Sequence, residues 1–203
     1  MSVIDYDFLF KIKEVGVHFV GRRSLFFRYT QNYFIEDYPV GIEPDRIIKK
    51  IEIENKLIKC IIYAPFHSSE RGFDRIMQTS EKHLKYLNGI ILIYDITNLR
   101  SFELIKEYNE RINENGLSNL KKVLVGNKCD LEDKREVTTE EGKKLAKELG
   151  INNFFEVSAK TGKNVEEAYY SLFREILMDY KEPLPFILND KEKKDEKKNK
   201  CAK

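Results

Sequence analysis

The chain has 203 residues, enough for one domain with a full hydrophobic core and a short tail. Its 36 Lys and Arg nearly cancel 34 Asp and Glu, so no global basic field argues for nucleic acid as a partner. Cys60, Cys129 and Cys201 lie far apart, with neither metal-ligand spacing nor a disulfide framework, and no charged-then-apolar leader opens the sequence, so a cytoplasmic protein is expected.

In chain order, Phe8, Phe10 and Ile12 alternate as in a strand, Gly16 and Gly21 follow, and Leu25 to Tyr29 continue as an apolar-faced helix. The stretch EVGVHFVGRRSLFFRY thus reads as strand, loop and helix, the opening of a nucleotide-binding fold. A phosphate-binding loop has the pattern G-x-x-x-x-G-K-[ST], whose lysine reaches the outer phosphates and whose hydroxyl holds Mg²⁺. The glycine spacing is kept here, but Arg22 and Arg23 occupy the last two positions.

Ile47 to Tyr63 holds two β-branched runs around Glu54 and Asn55, an antiparallel hairpin. GIILIYDIT, KKVLVGNKCD and NFFEVSAK are short apolar runs of the kind buried in a parallel sheet; the longest aliphatic run, Ile90 to Ile93, is too short to span a bilayer. Ser101 to Asn115 and Thr138 to Leu149 carry helical spacing, with Thr138 or Thr139 as N-cap and Gly150 as the stop. Val165, Ala168, Tyr169, Leu172, Phe173, Ile176 and Leu177 line one face of a long amphipathic helix.

This alternation predicts a doubly wound α/β fold: a mostly parallel six-stranded sheet with one antiparallel edge strand and helices on both faces. Ligands in such folds bind outside the carboxyl ends of the strands. The Gly16 loop, Pro65 to Ser69, Asn127 to Asp130 and Ser158 to Lys160 all fall at such ends and belong to one site. A carboxylate there accepts two parallel hydrogen bonds from the N–H groups on the edge of guanine, which adenine does not offer, and Asp130 is that candidate. Asn127 would tie the loops together, Lys128 would lie along the base, and the Ala159 N–H would meet the guanine oxygen. Taken singly, Asn-Lys-x-Asp is as readily a turn and Ser-Ala-Lys as readily a loop; together, each after its strand, they favour a base pocket.

With these motifs the chain resembles the Ras-like small GTPases, and among them the Rab family. The resemblance runs from YDFLFKI through GIILIYDITNLRSFELIKEYNERI and VLVGNKCDLEDKREVTTEEGKKLAKELG to FFEVSAKTGKNVEEAYYSLFREI, about residues 5 to 178. It implies a G domain over residues 1–178 and a Lys-rich tail over 179–203. It also implies GTP or GDP as ligand, a role in vesicle traffic, and effector and escort proteins as partners. By the same resemblance guanine is read by Asn127, Lys128, Asp130, Ser158, Ala159 and Lys160, with Phe34 edge-on against the base, while Gly16, Gly21 and Arg22 are what remains of the phosphate loop.

The departures from the family cluster around phosphate and metal. Phe19 stands where a glycine is usual, on a loop whose backbone N–H groups demand φ > 0, and its ring is expected to fill the terminal-phosphate space. Arg23 has no acceptor for Mg²⁺ and a permanent charge that repels it, whereas the Arg22 guanidinium is a serviceable phosphate ligand. Gly41 replaces the first switch threonine. APFHSSERGF replaces the second switch, with Pro65, Ser68 and Ser69 at the positions of its aspartate, glycine and glutamine. His18 and His67 read as solvated loop residues. Support for Mg²⁺ is therefore missing and hydrolysis is expected to be very slow or absent, with no catalytic residue assigned. Arg46 and Ala64 replace two aromatics of the family's effector surface.

In the tail, Cys201 follows Lys193, Lys194, Lys197, Lys198 and Lys200, a lipid-plus-polybasic pattern. Cys-Ala-Lys is neither a four-residue prenyl box nor a double-cysteine ending, so a solvated tail and a prenylated one peripheral on a membrane both stand. Three functions are open on the sequence: a nucleotide-binding switch with impaired hydrolysis, a nucleotide-free scaffold, and a slow but active GTPase.

Overall fold

β1 (Phe8–Val15) forms because Phe8, Phe10 and Ile12 alternate toward one face, and it lies at the centre of a six-stranded sheet. The computed structural model describes residues 6–36, 46–64 and 86–180. β2 (Arg46–Ile53) and β3 (Lys56–Tyr63) form the hairpin, turning through Glu54 and Asn55 at φ 51° and 60°, the left-handed pair that a two-residue turn needs. β4 (Gly89–Asp95), β5 (Lys121–Asn127) and β6 (Asn153–Glu156) complete the order β2-β3-β1-β4-β5-β6. Only the β2–β3 pair is antiparallel, as expected.

Among the described residues four α-helices lie along the sheet: α1 (Arg22–Gln31), α2 (Leu99–Ile112), α3 (Thr139–Glu148) and α4 (Val165–Asp179). Leu25 and Phe26 of α1 share a core with Leu172 and Phe173 of α4, against Phe10 and Ile12. Ile105 of α2 and Leu145 of α3 pack on the opposite face with Leu92 and Leu124. All seven apolar positions read along the last helix are buried.

Thr138 caps α3 in a capping box with Glu141, and Gly150 follows at φ 67°. α2 begins two residues before the expected Ser101, because Asn98 is its cap and accepts the Ser101 N–H at 3.0 Å. It ends at Ile112; a wider turn, Asn113–Leu117, breaks at Asn115 and at Gly116 (φ 74°). NFFE, expected to be buried, is half-buried throughout, since β6 is the sheet edge and has only β5 beside it. Among the described residues no helix is long and apolar enough to cross a membrane.

Candidate functional site

The loop after β1 is shaped by its two glycines. A Cβ on Gly16 would lie 2.3 Å from the Ile93 carbonyl oxygen, so only glycine lets the chain pass this close to β4. Gly21 has φ 88°, and a Cβ there would stand 2.4 Å from Asn127 Nδ2. Phe19 adopts φ 64° despite its side chain, and its ring is 92% exposed rather than folded into the loop. The left-handed backbone is thus kept at a cost of roughly 1 kcal/mol or more. α1 starts directly after Gly21 with no side-chain cap, leaving its first amides available to an anion.

Arg22 opens that helix with only 7% exposure. Burial pulls its pKa below the ordinary arginine value, and the Glu14 carboxylate opposes that shift. Glu14, on β1, is fully buried, accepts a hydrogen bond from the Tyr169 hydroxyl of α4 at Oε1, and has no bond at Oε2. Burial pushes its pKa up to about 8, against the smaller effects of Tyr169 and Arg22. Beside it in sequence, Lys13 is lowered to about 8 by burial and by the Arg22 charge.

Asn127, at the end of β5, joins the two halves of the site. Its Nδ2 donates to the Val20 carbonyl at 2.8 Å, and its Oδ1 accepts the Ala159 N–H at 3.2 Å. The Ala159 N–H assigned to the base oxygen is therefore directed at Asn127. Asp130 accepts from Ser158 Oγ at 2.6 Å through Oδ1, and among the described residues Oδ2 has no bond. Ser158 Oγ in turn accepts the Thr161 N–H at 3.0 Å. Lys128 sits at φ 66° with Nζ 2.6 Å from Asp95 Oδ2, while Asp95 Oδ1 takes the Thr97 N–H and hydroxyl. The lysine stem is thereby stretched across the floor between β4 and β5.

Lys160 is exposed, 3.5 Å from Glu36, and Phe34 is partly buried against the α1–α4 core. Arg28, which no motif singled out, is the clamp of this loop: Nε donates to the Ala159 carbonyl at 2.8 Å and Nη2 to the Lys160 carbonyl at 2.7 Å. In the sequence it is one basic residue on an amphipathic helix.

Arg46 lies opposite Tyr63 in the hairpin, and Ala64 is buried. Gly41, Pro65, His67, Ser68, Ser69 and Cys201 lie outside the described residues. Among those described, no group of three or more His, Cys, Asp or Glu is placed to hold a metal ion.

The Ras family model matches residues 11–178. The chain belongs to the Ras family. It is 39% identical over 172 residues to the Ras-related protein Rab-8B of Homo sapiens, covering 85% of this chain and 80% of that one. It is 40% identical to Rab-13 of Mesocricetus auratus, covering 85% and 82%, and 36% identical to the GTP-binding protein ypt2 of Schizosaccharomyces pombe, covering 87% and 85%. Within this Ras-family fold, the loop after β1 and the loops after β5 and β6 meet at one end of the sheet, joined by Asn127.

Proposed function

We propose that this chain is a Rab-like guanine-nucleotide-binding protein of membrane traffic that binds its nucleotide mainly through the base and hydrolyses it very slowly or not at all. The observation that carries the reading is the Asn127 joint: one buried amide fixes the phosphate-loop carbonyl of Val20 and the Ala159 loop together, while Asp130 is held by Ser158 with Oδ2 left to accept from a base. Guanine presents two adjacent N–H donors to such a carboxylate, and adenine would leave it unpaired.

Bound nucleotide supplies a phosphate chain. Gly16, Gly21 and the uncapped start of α1 would receive it through backbone N–H groups, with Arg22 as the nearest guanidinium. The residues do not fit Mg²⁺ as the family holds it: Arg23 offers no oxygen at the first metal-supporting position, and the sequence places Gly41 and Pro65 at two others. Residues 1–178 would form the nucleotide domain, and the Lys-rich tail ending near Cys201 an anionic-membrane contact, strengthened if Cys201 is lipidated.

One observation favours a nucleotide-free scaffold instead: Arg22, the nearest guanidinium, is buried rather than presented to solvent. Denaturing the purified protein and chromatographing what is released decides between the two. GDP or GTP in stoichiometric amount supports the base-pocket reading. No nucleotide, followed by equal affinity for GTP and ATP on titration, refutes it; multiple-turnover GTP hydrolysis would refute the impaired-hydrolysis part alone.

A further inference from the structure

Asp95 is the last residue of β4 and stands opposite Asn127 of β5 in the sheet register. A carboxylate with only 5% exposure needs partners for both oxygens, and Asp95 has them. Oδ1 accepts the Thr97 N–H at 2.9 Å and the Thr97 hydroxyl at 2.8 Å; Oδ2 meets Lys128 Nζ at 2.6 Å. Its backbone is held as well, since the N–H donates to Ser101 Oγ at 3.0 Å and the carbonyl accepts the Asn98 N–H at 3.0 Å. The carboxylate is thus part of a fixed corner between β4 and α2. Lys128 is bound as closely from its own side. It holds φ 66°, uncommon for a residue with a side chain and most often seen where function requires it. Its neighbours pin that turn: the Ile96 N–H donates to the Asn127 carbonyl at 3.1 Å, the Cys129 N–H to the Val157 carbonyl at 3.0 Å, and the Leu131 N–H to the Lys128 carbonyl at 2.9 Å. With the backbone pinned at one end and Nζ tied at the other, the four-carbon stem keeps little rotamer freedom. A lysine without such a tie would lose that freedom only when a ligand packed on it.

We propose that Asp95 is a positioning residue of the base site: acting through Lys128, it holds the lysine stem as a preformed apolar floor for a purine ring, and it engages the ammonium so that Lys128 serves the base rather than the phosphates. The inference rests on the nucleotide-binding reading for its ligand. It concerns the face of the ring, whereas Asp130 concerns the edge. The floor therefore serves guanine and adenine alike, and only the edge favours guanine.

The test measures affinity of the full chain for GDP, ADP and guanosine in native protein, Asp95→Asn, Lys128→Met and the double variant, with urea unfolding of each alongside. Asparagine keeps an oxygen for Thr97 and sets an amide NH2, which accepts nothing, before the lysine ammonium. Methionine keeps an apolar stem and leaves Asp95 nothing to hold. Each single variant is expected to lose about three- to tenfold in affinity, the order of one rotamer-rich side chain left to be fixed on binding. The loss is the same for GDP, ADP and guanosine, and no larger in the double variant, because both substitutions undo one contact. In the Lys128→Met background Asp95→Asn should raise stability, by removing an uncompensated buried charge, yet leave affinity unchanged; a merely structural role would move the two together. Should a single variant fail to fold, the double variant, which carries neither charge, makes the comparison with native protein. Unchanged affinity in Asp95→Asn, additive losses in the double variant, or a loss for GDP that guanosine does not share overturns the proposal. Equal affinity for GDP and ADP in native protein, both weakened alike by Asp95→Asn, sustains the floor while refuting the guanine-selective edge, and binding of none of the three ligands refutes both.

Discussion

Replacing Asn127 by Ala perturbs the site at the one residue that touches both loops. The side chain removed satisfies the Val20 carbonyl and the Ala159 N–H, in residues 1% and 3% exposed, so water does not reach the orphaned groups. Each buried group left unpaired costs about 1–3 kcal/mol, giving a loss of roughly 2–6 kcal/mol. That is a large part of the 5–15 kcal/mol or so by which a domain is stable, and for a urea slope of about 2 kcal/mol/M it moves the midpoint down by about 1–3 M. Equilibrium urea unfolding of nucleotide-stripped protein is the assay, since bound ligand would add its own stabilisation. Asn127→Asp is expected to be at least as damaging, because it sets an oxygen against the Val20 carbonyl where the amide donated. Lys160→Ala, at an exposed position, is the control and should cost little. A loss below about 1 kcal/mol for Asn127→Ala would mean that the two loops are not held by this amide, and the joint would have to be abandoned.

Glu14 also ties stability to pH. Its folded pKa is raised from 4.5 to about 8, so its contribution is fully present below pH 4.5 and is lost as pH rises to about 8. The expected slope in that window is up to about 1.4 kcal/mol per pH unit, absent in Glu14→Gln, and Lys13, lowered only to about 8, does not offset it there. Stability rising with pH between 5 and 8 by thermal or urea unfolding would contradict the assigned burial. Arg28→Ala should release the two carbonyls of the loop after β6, raising amide hydrogen exchange across Ser158 to Lys160 with an unchanged core; Arg28→Lys should not restore protection, as one ammonium does not span both acceptors.

Much of this was legible in the order of residues. Strand runs bounded by turn signals, separated by helix-spaced segments, left little choice but a parallel sheet with a hairpin at its edge, and Asn127, Asp130 and Ser158 stood where the topology places ligands. The exceptions share a cause. Lys13 and Glu14 end an alternating strand, where charge ordinarily means that the chain is leaving the core; only the packing of α4, which brings Tyr169 over β1, makes that spot interior. Arg28 carries no motif because its partners are carbonyls of a loop 131 and 132 residues away. The first turn of α2 is not legible in the sequence because Leu99 and Arg100 resemble loop as much as helix, and it is the Asn98 cap that sets the start. β6 looked interior because Phe154 and Phe155 are large and apolar, a property that does not reveal whether a strand has one neighbour or two.

α1 bears on both ends of the candidate site: its start follows the loop after β1, and Arg28, six residues on, grips the loop beyond β6. Six residues of helix are about 9 Å of nearly incompressible rod. A ligand held at both ends is gauged against that rod, so its two halves are recognised at a fixed spacing rather than as independent fragments. An inserted residue between Arg22 and Arg28 would turn one end about 100° against the other and slide it about 1.5 Å, leaving every contacting side chain in place in the sequence and the ruler broken.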